Sequence, residues 1–131
     1  MPQPQSLLAL ARQHLGERYI LGAFAPKDNA HWTGPWDCAE FASWVTFQTT
    51  GLLMGCTSNA EDPARADAYS GAWARDALEV RVIGIGQAKL TAGAILIRKP
   101  PLKGVGHVAI SNGDGTTLEA HSAKLGVSSL P

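Results

Sequence analysis

Asp37-Cys38-Ala39-Glu40-Phe41-Ala42-Ser43-Trp44-Val45 reads as the opening of a helix with a nucleophile in its first turn. Asp37 is a capping residue whose carboxylate can accept the N–H groups a helix start leaves unpaired, and Phe41, Ala42 and Val45 share one face. Gly51 then ends the pattern by supplying a left-handed residue. A thiol at Cys38 feels the partial positive charge of the helix start, which favours thiolate, the attacking form. Packing alone accounts for most cysteines. Here, however, the preceding stretch from Gly22 to Trp36, with Pro26, Asp28, Asn29, Gly34, Pro35 and the aromatics Phe24, Trp32 and Trp36, has no period and reads as an irregular loop. Cys56, in Met54-Gly55-Cys56-Thr57, lacks such a setting and is expected to be structural.

Before this stretch, Leu7, Leu8, Leu10, Ala11 and Leu15 recur at three- and four-residue steps and predict a first helix between Ser6 and Gly16. Asp62-Pro63 is a helix-start signal, so a third, Ala-rich helix is expected over Pro63 to Leu78, with Gly71 its weak point. Beyond it the period shortens. Val80, Val82 and Ile83, then Ala94 to Ile97, Val105 to Ile110 and Thr116 to Ala120 are β-type runs separated by Gly, Pro, Asn and Asp; Gly84-Ile85-Gly86 reads as a turn between them. Helices first and strands afterwards predict an α+β domain with an antiparallel sheet.

The strand run Gly106-His107-Val108-Ala109-Ile110 places His107 and Ala109 on one face, with Val108 and Ile110 the expected core face. An imidazole there could reach the helix carrying Cys38 and serve as its base. Ser111-Asn112-Gly113-Asp114-Gly115-Thr116 signals a hairpin, so the next strand returns beside His107 and offers Glu119 and His121 from one face. Register decides between them. A turn centred on Gly113 sets Glu119 opposite His107; one centred on Asp114, with left-handed Gly115, sets His121 there and is slightly favoured, unless a bulge intervenes.

Composition bounds the rest. The chain has 131 residues, 45% hydrophobic and 17% charged, enough for one core and one domain (1–131), which can bury roughly two thirds of its unfolded surface. Eleven basic residues balance eleven acidic ones, which leaves no electrostatic case for a nucleic-acid or membrane-surface partner. Apolar runs such as Ala94 to Ile97 are far shorter than the ~20 residues a membrane span needs. Two cysteines and four histidines in no ligand spacing argue against a metal site. The start of the sequence carries no basic segment followed by an apolar one, so no export signal is visible.

Together, Leu15-Gly16-x-x-Tyr19-x-x-Gly22, Asp37-Cys38-Ala39-x-Phe41, Gly106-His107-Val108-Ala109-Ile110, Gly113-Asp114-Gly115 and Glu119-Ala120 resemble the NlpC-type cysteine peptidases of bacterial cell walls, over about residues 7 to 127. The resemblance implies a papain-like fold, N-terminal helices packed on a C-terminal antiparallel sheet, and hydrolysis of an amide bond in peptidoglycan stem peptides. It implies Cys38 as nucleophile, His107 as base and, twelve positions on, Glu119 as the residue that orients it, which overrides the turn-based preference for His121. It implies that Tyr19 and Asp37 line the substrate site, Tyr19 near the oxyanion and Asp37 on a stem-peptide amine. No cofactor is implied, the expected state is a monomer, and the substrate implies action in the periplasm or cell wall. Ala39 stands where that family usually has Ser. Competing readings are a CHAP-like amidase or a thiol acyltransferase, which share the Cys-then-His order, and, as a different class, a catalytically silent wall-binding module that keeps the fold.

Overall fold

The computed structural model describes residues 4–80, 84–98 and 106–131. Helix α1 (Pro4–Arg12) is followed by the nucleophile-bearing helix α2 (Cys38–Thr50), then α3 (Ser70–Val80), a short α4 (Ile85–Ala88), and strands β1 (Ile95–Arg98), β2 (His107–Ser111), β3 (Thr117–Ser122) and β4 (Gly126–Leu130). The strands form one antiparallel sheet in sequence order β1-β2-β3-β4. Helix α2 packs on β2 and β3, and α1 packs on α2. This is the α+β arrangement of helices on a C-terminal antiparallel sheet.

Helix α2 forms where its sequence places it. Asp37 caps it in extended conformation, its Oδ1 accepting the N–H of Glu40 at 2.8 Å, and Gly51 closes it at φ 75° with its N–H donating to Phe47 O at 2.8 Å. Every residue from Cys38 to Thr46 is buried. Phe41, Trp44 and Val45 join Leu8, Ala11, Trp36, Ile110, Leu118 and Val127 in the main core, while Cys38, Ala39 and Ala42 pack with Cys56, Trp73 and Val108 in a second cluster. The helix is therefore covered on all sides from Cys38 to Thr46.

Several expectations change. The third helix starts at Ser70, not Pro63: Asp62 does cap a turn, its Oδ1 accepting from Ala64 N–H and its carbonyl from Arg65 and Ala66 N–H, but Ala68 then pairs with Cys56 in an isolated bridge that keeps the chain extended. Ser6 lies inside α1 rather than capping it, and the stretch to Gly16 is a series of turns. Val80 ends α3 instead of opening a strand, and the Gly84-Ile85-Gly86 turn is the start of α4; Val82, Ile83 and Val105 lie outside the described residues. Strand β4 is an addition, and it covers the outer edge of β3. Ala109 is also buried, 6% exposed, so β2 has apolar cover on both faces beyond His107.

Candidate active site

The first turn of α2 meets the start of β2. Cys38 is buried at 9% exposure among Ala39, Ala42, Trp73 and Val108, and His107, the first residue of β2, reaches it from the sheet. Hydrogen bonding with Cys38 is the largest influence on His107, followed by that with Glu119, and against the opposing effect of burial they raise its pKa to about 9. Nε2 of His107 lies 2.7 Å from Glu119 Oε1. The remaining ring nitrogen, Nδ1, is therefore the one available to the thiol.

Glu119 is 7% exposed on β3. Burial pushes its carboxyl up, but hydrogen bonds from His107 and Thr117, with the charges of His107 and His121, outweigh burial and hold it below the usual carboxylate range. Its Oε2 accepts from the Thr117 hydroxyl. A carboxylate held on both oxygens has one orientation, and the imidazole bonded to it inherits that orientation.

The two register alternatives meet in an unexpected way. The β2–β3 ladder pairs Ile110 with Leu118 and Ser111 with Thr117 across a turn with Gly113 and Gly115 at positive φ. Continued, that register sets His107 opposite His121, as turn chemistry favours. The two rings stand 5.7 Å apart at 75°. The hydrogen bond nevertheless goes to the diagonal neighbour Glu119; His121 Nε2 is 4.0 Å from the same oxygen. Diagonal pairs on one face lie within reach of long side chains.

Tyr19 and Asp37 border the thiol. Residues 18 to 20 run beside Trp36, with Ile20 N–H donating to Trp36 O at 2.9 Å and Trp36 N–H to Arg18 O at 2.9 Å. This places Tyr19 beside the helix start, where burial first, then the charges of Cys38 and Asp37, raise its phenol pKa. Burial, aided by Asp67, lifts Asp37 to about 6 against hydrogen bonds from Glu40 and Gly22 N–H and the charge of Lys27. Cys56 is fully buried and its thiol is raised to about 11, chiefly by burial, so it is the inert thiol of the pair.

Two groups around the site escaped the sequence reading. Thr117 shares a strand face with Glu119, an alternation that could have flagged it. Trp73 of α3 donates from Nε1 to Ala39 O at 3.3 Å, bracing the carbonyl next to Cys38; nothing in the spacing of residues 39 and 73 signals this.

No family model matches the chain, and no curated protein matches it in sequence. Solved structures do. The NlpC/p60 domain of the peptidoglycan hydrolase SagA is 23% identical with a TM-score of 0.62, over 97% of this chain and 87% of that one. The P60 domain from an antigen of M. avium subspecies paratuberculosis is 22% identical with a TM-score of 0.65, over 98% of this chain and 84% of that one. A third match, from Trichomonas vaginalis and described as an NlpC1 structure, is 19% identical with a TM-score of 0.64, over 98% of this chain and 38% of that one. Among the described residues, helices on a four-stranded antiparallel sheet, matched over 87% of the SagA domain and 84% of the P60 domain, make this the NlpC/p60 fold.

Proposed function

We propose that the chain is a cysteine peptidase or amidase that hydrolyses an amide bond in peptidoglycan stem peptides. The observation that carries this reading is an imidazole at His107 held through Nε2 by Glu119 at 2.7 Å and influenced most strongly by the Cys38 thiol. The described SagA neighbour is a peptidoglycan hydrolase of the same fold, which supports the substrate class.

In this mechanism His107 holds the proton that Cys38 gives up, and Glu119 stabilises the resulting imidazolium. The thiolate adds to the amide carbonyl carbon. N–H groups of the first turn of α2 other than that of Glu40, which Asp37 caps, together with the Tyr19 phenol, face the developing oxyanion; such a donor is worth about 3 to 4 kcal/mol. His107 then passes its proton to the departing amine as the C–N bond breaks, leaving a thioester on Cys38. A water, deprotonated by His107, hydrolyses the thioester and returns the thiol. Asp37 binds a stem-peptide amine beside the scissile bond.

Digestion of defined muropeptides, with new termini identified by mass spectrometry, tests the reading. New amine and carboxyl termini within the stem peptide, absent with Cys38→Ala, are expected. Release of lactyl-linked L-alanine would instead support a CHAP-like amidase, and intact muropeptides would overturn the hydrolase reading.

A further inference from the structure

Beneath the first turn of α2 lies an ion pair that no step of the proposed chemistry uses. Lys27 and Glu40 have side chains that are both fully buried, and Lys27 Nζ bonds Glu40 Oε2. The ammonium has three protons and three acceptors: Glu40, Ala25 O at 2.8 Å and Ala66 O at 2.6 Å. The Phe24 ring centroid stands 4.7 Å from Nζ. Glu40 Oε1 accepts the N–H of Ala68 at 3.2 Å. The backbone of Lys27 is engaged as well, its N–H donating to Pro63 O at 3.0 Å and its carbonyl accepting from Gln48 Nε2 at 2.8 Å.

These bonds join three pieces of chain at one point: the loop before α2, the segment from Pro63 to Ala68, and α2 at its first and third turns. Glu40 is the inner residue of the turn that begins with Cys38, and its N–H is the one that Asp37 caps. The loop that Lys27 anchors also supplies Gly22, whose N–H bonds the Asp37 carboxyl. A buried ion pair with every partner satisfied tolerates only a narrow range of geometries, because removing or displacing one charge leaves the other uncompensated. Burial, with the Asp67 side chain beside it, raises the Glu40 carboxyl, and Lys27 and the Ala68 N–H work against that rise. Each partner therefore depends on the other.

We infer that Lys27 and Glu40 are positioning residues, holding the first turn of α2 so that Cys38 Sγ faces His107 and the Asp37 carboxylate stands beside it. The inference rests on the proposed function for its catalytic meaning, and on the bonds of Lys27 and Glu40 for the placement of the first turn of α2. Neither residue touches substrate.

The test separates these two. The titration of His107, followed by NMR of its imidazole ring protons and needing no substrate, is compared in wild type, Lys27→Met and the size-conserving Glu40→Gln, each at a temperature where circular dichroism shows it folded. In wild type His107 is expected to titrate near pH 9, because Cys38 is its principal partner. Loss of positioning is expected to lower that midpoint by roughly one unit or more in both variants. On any muropeptide the wild type cuts, kcat per folded molecule should fall about tenfold or more, with KM within about threefold. A folded variant in which His107 titrates as in wild type overturns the inference and leaves a purely structural ion pair. A wild type that cuts no muropeptide, with the midpoint shift still present, overturns the hydrolase reading and leaves the positioning role standing.

Discussion

Glu119 Oε1 lies 2.7 Å from His107 Nε2 although the strand register, continued, sets His121 opposite that imidazole. The shorter approach belongs to the diagonal neighbour, whose other oxygen is fixed by Thr117. Glu119→Ala should therefore lower kcat/KM about a hundredfold or more, by loss of the group that orients the imidazole and stabilises its charge, whereas His121→Ala should stay within about threefold. Side-by-side muropeptide kinetics check this, and the reverse order would assign the orienting role to His121.

Protonated His107 is the form that pairs with the thiolate, so activity should fall as pH rises through about 9. Its folded pKa lies above the unfolded value of ~6.5, so the associated stability is fully present below ~6.5 and is lost as pH rises through about 9. Thermal unfolding at pH 6 and pH 9.5 should show this loss, and His107→Gln should reduce it. In Glu119→Ala the alkaline limb of kcat/KM should move to lower pH, since one of the two hydrogen bonds that raise His107 is gone.

The Asp37 carboxyl, lifted to about 6, takes up a proton as pH falls through that value. An amine-bearing stem peptide should then bind more weakly, with KM rising up to about tenfold between pH 7 and pH 5, the loss expected of one charge-assisted contact. Asp37→Asn keeps a capping side chain on α2, so it should fold, and its KM should be high and nearly flat over the same range. Michaelis curves at four or five pH values decide the matter.

Gly55 has φ 75°, and a Cβ there would overlap Trp73 Nε1. Gly55→Ala should cost about 2 to 4 kcal/mol through strain and overpacking, read by urea unfolding. It should also lower kcat, because Trp73 Nε1 braces Ala39 O, the carbonyl beside Cys38.

The helix at Cys38 and the hairpin carrying His107 and Glu119 were legible because local chemistry dictates them: a capping carboxylate, a terminating glycine, and a turn whose glycines adopt positive φ. Elements set by distant contacts were not. Asp62-Pro63 carries the same helix-start chemistry as the Asp37 cap, yet only one turn forms, because Ala68 is drawn into a bridge with Cys56 and Glu40 takes its N–H. Lys27 gave no sign at all. In a loop containing Pro26, Asp28 and Asn29, a lysine is ordinarily solvated, and only the fold brings a carboxylate and two carbonyls around it.

The proposed chemistry requires a thiol at Cys38 made reactive by His107. Brief treatment with iodoacetamide at pH 7, with the labelled sites mapped by mass spectrometry, measures this directly. Cys38 should be alkylated and the buried Cys56, its thiol raised to about 11, left unlabelled, with His107→Ala slowing Cys38 labelling by about tenfold or more. Equal labelling of the two cysteines, or a Cys38 rate indifferent to His107→Ala, would contradict it.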